Sequence, residues 1–181
     1  TISGPGARAV LNFVRSTPAS LSYDINVRPS VLSDRVEYFQ RVEQLIAAVG
    51  AGGGIVKASD EDICWLVDDP DPLPYAEAWC IEYGLALCIV TLGPDGAVAI
   101  KPDGRQFRVP GHAVELVDTV GAGDTFMAGF LASYAKRPDD VERALRWGAG
   151  ASALVCSRQG ANPPTRAELE RFLSAPKKKI G

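Results

Sequence analysis

Asp118-Thr119-Val120-Gly121-Ala122-Gly123-Asp124, running on into Thr125-Phe126-Met127-Ala128-Gly129-Phe130-Leu131, is the stretch that decides the fold. An apolar run with strand character, Val114-Glu115-Leu116-Val117, stands before it. After it, Phe126, Met127, Phe130, Leu131 and Tyr134 recur at helical spacing. The expected order is strand, turn of small residues, helix. Gly121, Ala122 and Gly123 bring bare backbone N–H groups to the mouth of the helix. The first amides of a helix lack internal partners, and its dipole favours negative charge there. Asp124, in the first turn, sets a carboxylate beside the bound anion. Such an arrangement suits phosphoryl transfer to a hydroxyl: the amides take the developing phosphate charge and the carboxylate takes the hydroxyl proton. Gly-rich turns also precede helices that bind nothing, and an acid in the first turn is often only a dipole contact. For Gly121-Ala122-Gly123-Asp124 alone that plainer reading would prevail; the longer string is more specific.

Composition bounds the alternatives. The 181 residues suffice for one domain with a real core, so 1–181 is read as a single α/β domain. Apolar residues make up 46% and charged residues 23%, an ordinary globular balance. The net charge of −3 argues against nucleic acid as a partner. The basic run Lys177-Lys178-Lys179 reads as a solvated tail. No apolar stretch has the length of a membrane span, and no signal peptide is evident, so neither membrane nor export is expected. Cys64, Cys80, Cys88 and Cys156 are scattered among apolar neighbours without a C-x-x-C, and read as buried, reduced thiols of a cytoplasmic protein. His112 is the only histidine, which excludes a histidine-rich metal site.

Working outward along the chain, Ala7, Val10, Leu11 and Val14 mark one face of a short helix after an abrupt start, Thr1-Ile2-Ser3-Gly4-Pro5. Residues 19–25 read as a strand leading into Asp24-Ile25-Asn26-Val27-Arg28-Pro29. Ligands of open α/β sheets lie outside the carboxyl ends of strands. Asp24, Asn26 and Arg28 alternate, so an extended chain sends all three to one side. They suit a polyhydroxyl, phosphate-bearing ligand, and a polar turn before the next helix explains them equally well. Ser33 or Asp34 caps a helix with an apolar stripe from Val36 to Val49, and residues 50–54 end it. Residues 55–57 form a short strand. Ser59 and Asp62 then have capping-box spacing at the head of another helix. Residues 75–83 read as a helix and 85–90 as a buried strand. Thr91-Leu92-Gly93-Pro94-Asp95-Gly96 follows it, with glycines that allow a tight turn or close approach of a ligand. Pro102-Asp103-Gly104 joins a hairpin. A helix beginning at Pro138 carries a face of small residues, suited to lie close to a sheet or to a flat adenine. The loop Ser157-Arg158-Gln159-Gly160-Ala161-Asn162 ends it, and Thr165 caps a last helix. Strands alternating with helices imply a parallel-dominated, three-layer α/β/α architecture.

Five stretches, in order, resemble the ribokinase-like (PfkB) carbohydrate kinases. They are D-x-N-x-R at Asp24, Asn26 and Arg28; V-K-x-S at residues 56–59; T-L-G-x-x-G at Thr91, Gly93 and Gly96; D-T-V-G-A-G-D from Asp118; and the loop near Asn162. The closest likeness is to bacterial fructokinases. The resemblance implies a ribokinase-like α/β/α fold and ATP-dependent phosphorylation of a sugar hydroxyl. In it Asp124 is the base, and Gly121, Ala122 and Gly123 are the anion hole. Thr91, Gly93, Gly96 and Asn162 line the nucleotide, and Asp24, Asn26 and Arg28 face sugar or phosphate. Mg²⁺ assists through waters near Asp62, which stands where the family carries a glutamate, and Asp118 helps hold K⁺. Fructose is the expected sugar; ribose and 2-keto-3-deoxygluconate kinases are the alternatives within the family. Family members are longer at the N-terminus, where their first strands and lid lie. That portion, or a second copy in a homodimer, is therefore an expected partner, and a nucleotide-binding piece without catalysis is the rival reading.

Overall fold

The computed structural model describes residues 4–30 and 34–175. The expected cap Ser33, the first three residues and the Lys177-Lys178-Lys179 tail lie outside them. The elements in chain order are α1 Gly4–Ser16, β1 Ser22–Asp24, α2 Arg35–Gly50, β2 Ile55–Ser59, α3 Asp60–Val67, α4 Leu73–Glu82 and β3 Leu87–Thr91. A 3-10 turn at Gly93–Asp95 follows, then β4 Ala97–Ile100, β5 Gln106–Val109, α5 Ala122–Tyr134, α6 Val141–Cys156 and α7 Arg166–Ser174. The strands form one sheet in the order β1-β2-β3-β4-β5. The backbone groups into two compact units, one running through Leu92 with Val98–Gln106, the other comprising Gly93–Ala97 and the chain from Phe107.

In the first unit β1, β2 and β3 are parallel, with Asp24 opposite Lys57 and Ser59 opposite Thr91. α2, α3 and α4 cover one face of these strands. The core records it: Val42 and Ile46 of α2, Ile63 of α3 and Trp79 of α4 pack with Val56 of β2 and Val90 of β3. Each fully buried aliphatic side chain there stabilises the fold by roughly 1.5–3 kcal/mol. Both faces of β2 and β3 are buried, which is why β3 reads as an apolar run and β2 as one broken by Lys57. Asp34 caps α2 by accepting from the Glu37 amide at 2.9 Å. The hairpin stands where Asp103 was expected to make it: Gly104 turns with positive φ, and the Arg105 amide donates to the Asp103 carboxylate.

In the second unit α5 packs on α6, and α6 on α7. A Cβ at Gly129 would lie 2.7 Å from the Trp147 carbonyl, and one at Gly148 3.0 Å from the Phe126 ring. The small-residue face of α6 thus meets a neighbouring helix, where a sheet or an adenine was expected. Trp147 is flanked by the guanidiniums of Arg143 and Arg166, 5.2 and 5.8 Å from its ring centre.

Three boundaries differ from expectation. β1 spans three residues where seven were expected, although its flanks keep ties to β2: the Leu21 carbonyl accepts from the Ile55 amide, and the Ile25 amide donates to the Lys57 carbonyl. α6 begins at Val141, where the Asp140 carboxylate caps the helix by accepting from the Arg143 amide. Residues 114–117 form no strand. Among the described residues their one backbone anchor is the Cys156 carbonyl at the end of α6, which accepts from Val117 and also from the next residue, Asp118. Leu116 and Val117 are left 67% and 55% exposed.

Candidate active site

The last residues of the three parallel strands are Asp24, Ser59 and Thr91. They stand at the sheet end where ligands of such folds bind. The Lys57 ammonium reaches both oxygens of Asp24, at 3.1 and 2.9 Å. Lys57 is almost buried, its side chain 6% exposed, and Asp24 is 23% exposed. Beyond Asp24 the backbone is tied down amide by amide. Ile25 donates to the Lys57 carbonyl at 2.9 Å, Val27 to the Asp62 carboxylate at 2.8 Å, and Arg28 to the Tyr38 hydroxyl at 2.8 Å. Asn26 sits among them at φ +48°. Asparagine tolerates that left-handed region better than most residues. The side chains of Asn26 and Arg28 are exposed, and the Arg28 guanidinium donates to the Val27 carbonyl.

Asp62 completes a capping box: its second oxygen accepts from the Ser59 amide at 3.0 Å, and the Ser59 hydroxyl accepts from the Asp62 amide at 3.0 Å. Both carboxylate oxygens are therefore engaged by backbone groups. Thr91 donates its hydroxyl to the Ala58 carbonyl at 3.4 Å. Asp24, Asn26 and Arg28 border a cavity of about 490 Å³ walled otherwise by α1, α2 and β1 side chains. Tyr23 also lines it; its buried hydroxyl has no partner among the described residues, and burial pushes its pKa up.

In the second unit Gly121 enters α5 at φ +78°, the left-handed conformation that glycine adopts without strain. The Ala122 amide, one of the three expected donors, turns back to the Thr119 carbonyl at 3.1 Å. Among the described residues, the amides of Gly121, Gly123 and Asp124 have no backbone acceptor. The Asp124 side chain is exposed, and among the described residues it makes no ion pair. Asp118 fastens the turn to the loop after α6: one oxygen accepts from Val120 at 3.0 Å, the other from Gly160 at 2.9 Å. The Ala161 methyl lies 3.2 Å from where a Cβ on Gly121 would stand. Asn162, in the same loop, donates its amide to the Gly160 carbonyl at 2.8 Å. Gly96 has φ +103°, and a Cβ there would meet the Val109 carbonyl at 2.0 Å, so only glycine closes the 91–96 turn this way. Among the described residues no three His, Cys, Asp or Glu side chains gather as a metal cluster.

The backbone donors hold the Asp118 carboxyl below its ordinary pKa of 3.8, the Val120 amide contributing most and Gly160 next. A depressed carboxylate pKa stabilises the fold above the ordinary value, and that contribution fades as pH falls through the lowered one. Asp118→Asn is thus expected to lower Tm by a constant margin near neutrality. Thermal unfolding across a pH series should show the margin shrinking once pH drops below 3.8. A margin that stays constant into that acid range would contradict the assignment.

The structure gathers Asp118, Gly121, Asp124 and the 160–162 loop in one neighbourhood, and Asp24, Asn26, Arg28 and Asp62 in another; the sequence alone had named these residues without joining Asp62 to the 24–28 segment. It missed Lys57 and Tyr38. A lone lysine inside the apolar strand Ile55-Val56-Lys57-Ala58 was a legible signal, since lysine is rarely buried unpaired. Tyr38 carried none, because its position on the α2 stripe reads simply as core.

Comparison with known proteins gives the family and the fold. Residues 9–168 match the pfkB family carbohydrate kinase. A fructokinase of Rhizobium leguminosarum bv. trifolii is 40% identical over 113 residues, covering 62% of this chain and 33% of the relative. An ATP-dependent ribose-1-phosphate kinase of Halopiger xanaduensis is 35% identical over 125 residues, 68% of this chain and 40% of the relative. The fructokinase of Vibrio cholerae O395, solved with fructose, ADP and a calcium ion, superposes with a TM-score of 0.77 at 28% identity, covering 92% of this chain and 54% of its own. The chain therefore spans about a third to a half of the length of these relatives. The α/β architecture expected from alternating strands and helices, and the ribokinase-like fold that the resemblance implied, are borne out by such neighbours and by the five-stranded sheet. With its glycine turn at the head of α5, its exposed Asp124 and this match across residues 9–168, the chain belongs to the pfkB family of carbohydrate kinases.

Proposed function

We infer that this chain supplies the phosphoryl-transfer part of an ATP-dependent sugar kinase whose acceptor is fructose. The observation that carries the inference is the head of α5: Gly121 at positive φ, amides at Gly121, Gly123 and Asp124 without backbone acceptors among the described residues, and the exposed Asp124 carboxylate. In the reaction Asp124 accepts the proton of the sugar hydroxyl, whose oxygen attacks the γ-phosphorus of ATP. The β–γ bond breaks and ADP leaves. Charge spreads over the equatorial oxygens of the transferred group, where the Gly121 and Gly123 amides stabilise it without reorganising. Ala122 keeps the spacing while its own amide closes the turn. Thr91, Gly93, Gly96 and Asn162 line the nucleotide, and Asn26 and Arg28 address sugar or phosphate.

Mg²⁺, when bound, neutralises phosphate charge. It would be held chiefly by the nucleotide's phosphate oxygens and by water, as this ion commonly is, with Asp62 near its water shell. K⁺ would be held near the Asp118 carboxylate. Fructose is favoured by the fructokinases among the relatives and solved neighbours. The free state of all four cysteines suits a reducing cytoplasm. The longer protein supplies the remaining sugar contacts, from its own chain or from a second copy.

The test is ADP release by the longest natural protein containing this chain, with fructose, ribose and 2-keto-3-deoxygluconate as acceptors. Fructose is expected to exceed the others at least about tenfold in kcat/KM, the margin that about 1.4 kcal/mol of transition-state binding gives. Tight ATP binding with no sugar-dependent ADP release would leave a nucleotide-binding piece only.

A further inference from the structure

We propose that Asp24 is the counter-ion of Lys57 and that Lys57 and Asp62 are positioning residues, which hold the 24–28 segment so that Asn26 and Arg28 present its ligand-facing groups. The roles given to Asn26 and Arg28 rest on the kinase reading above; the positioning itself rests on geometry alone.

Four donors fix the segment, the Lys57 ammonium and the amides of Ile25, Val27 and Arg28, and two of their acceptors are carboxylates. The Lys57 ammonium spans both Asp24 oxygens from a nearly buried position. The Lys57 carbonyl holds the Ile25 amide, so one residue of β2 grips the segment through its side chain and its backbone. Asp62 holds Val27 with one oxygen and the head of α3, through Ser59, with the other. It thereby couples the segment to the next strand–helix junction. Tyr38 takes the Arg28 amide, and its ring packs edge-on against Trp65 at 5.3 Å between centres. Between these ties Asn26 is held at a positive φ, a conformation that survives only where the surroundings over-determine it. A carboxylate whose two oxygens sit on backbone amides is poorly disposed to serve as a direct metal ligand. An acid gripped by a buried ammonium is poorly disposed to serve as a sugar ligand.

Removing one member of a buried pair strands the other's charge, whereas replacing both by neutral groups is often nearly neutral. The test uses the longest natural protein containing this chain, with Lys57→Met, Asp24→Asn, the two combined, and Asp62→Asn. Tm, amide hydrogen exchange of the 24–30 peptide, and the KM for acceptor are measured on each. Each single change of the pair is expected to lower Tm by about 5 °C or more. Each should also speed exchange of the peptide and raise acceptor KM about tenfold or more. The combined variant is expected to recover Tm and exchange protection, and to bring KM within about threefold of wild type. Asp62→Asn should speed exchange at Val27 and leave the Mg²⁺ activation constant unchanged. A combined variant that regains Tm but keeps the raised KM of Asp24→Asn would overturn the proposal, because Asp24 would then touch the sugar. So would a combined variant no more stable than the singles, or Asp62→Asn with unaltered exchange and a shifted Mg²⁺ constant. Should the wild type lack kinase activity, the function above fails on its own, and Tm and exchange still decide the positioning.

Discussion

Asp124→Asn, made in the longest natural protein containing this chain, is expected to lower kcat by about 10²–10⁴-fold while nucleotide affinity stays as it was. The amide matches the carboxylate in size, and its oxygen can still accept a hydrogen bond. It cannot take up a proton at neutral pH, so only the proton-transfer step suffers. Little else should change, because the side chain is exposed and, among the described residues, carries no ion pair that the substitution would break. The one structural cost is a weaker dipole contact in the first turn of α5, worth about 0.3–1 kcal/mol at most such positions. Steady-state kinetics with calorimetric ATP titration separates the outcomes. A variant within about twofold of wild-type kcat would return Asp124 to the role of a helix-terminal acid.

Gly121→Val attacks the other half of the site. At φ +78° a β-branched residue is a true outlier, and its Cβ would press on the Ala161 methyl at 3.2 Å. The turn must open, which re-aims the Gly121 and Gly123 amides. Losing one such donor to a developing oxyanion costs about 10²–10³-fold in kcat. The strain also costs about 1–2 kcal/mol of stability, so kinetics alone would not separate the two effects. Gly53→Ala is the control. It has a similar φ of +62° with nothing within 4 Å, and lies in the turn after α2. It should lose some stability for the same backbone reason and keep kcat within about twofold. Equal kinetic loss in both variants would mean that Gly121 matters for folding and not for the anion.

How far the sequence alone reaches is visible in individual residues. Periodicity found α2 and α5, because a core-facing stripe is written directly into the order of apolar side chains. The Ser59–Asp62 capping box and the Asp103 hairpin were legible for a similar reason: turn and cap chemistry here depends on residues two or three apart. The head of α5 was readable because glycine at a positive-φ position leaves a signature that other residues cannot mimic. The tie between Asp62 and Val27 was not readable, since it joins residues 35 apart through a fold-dependent approach. The strand expected at 114–117 failed for the complementary reason. Alternation shows that a segment can be a strand, but pairing needs a neighbour, and among the described residues its one backbone anchor is the Cys156 carbonyl. The turn of the Ala122 amide towards Thr119 was likewise invisible, although it changes which amides remain available for an anion.

The most direct measurement is a crystal structure of the longer protein with ADP, a planar mimic of the transferred phosphoryl group, and fructose. The mimic's oxygens should lie about 2.7–3.1 Å from the Gly121 and Gly123 nitrogens. An Asp124 oxygen should stand within hydrogen-bond reach, about 2.6–3.2 Å, of the accepting hydroxyl. A mimic bound away from the head of α5, or an Asp124 carboxylate turned from the sugar towards a cation of the protein, would contradict the assignment of both groups.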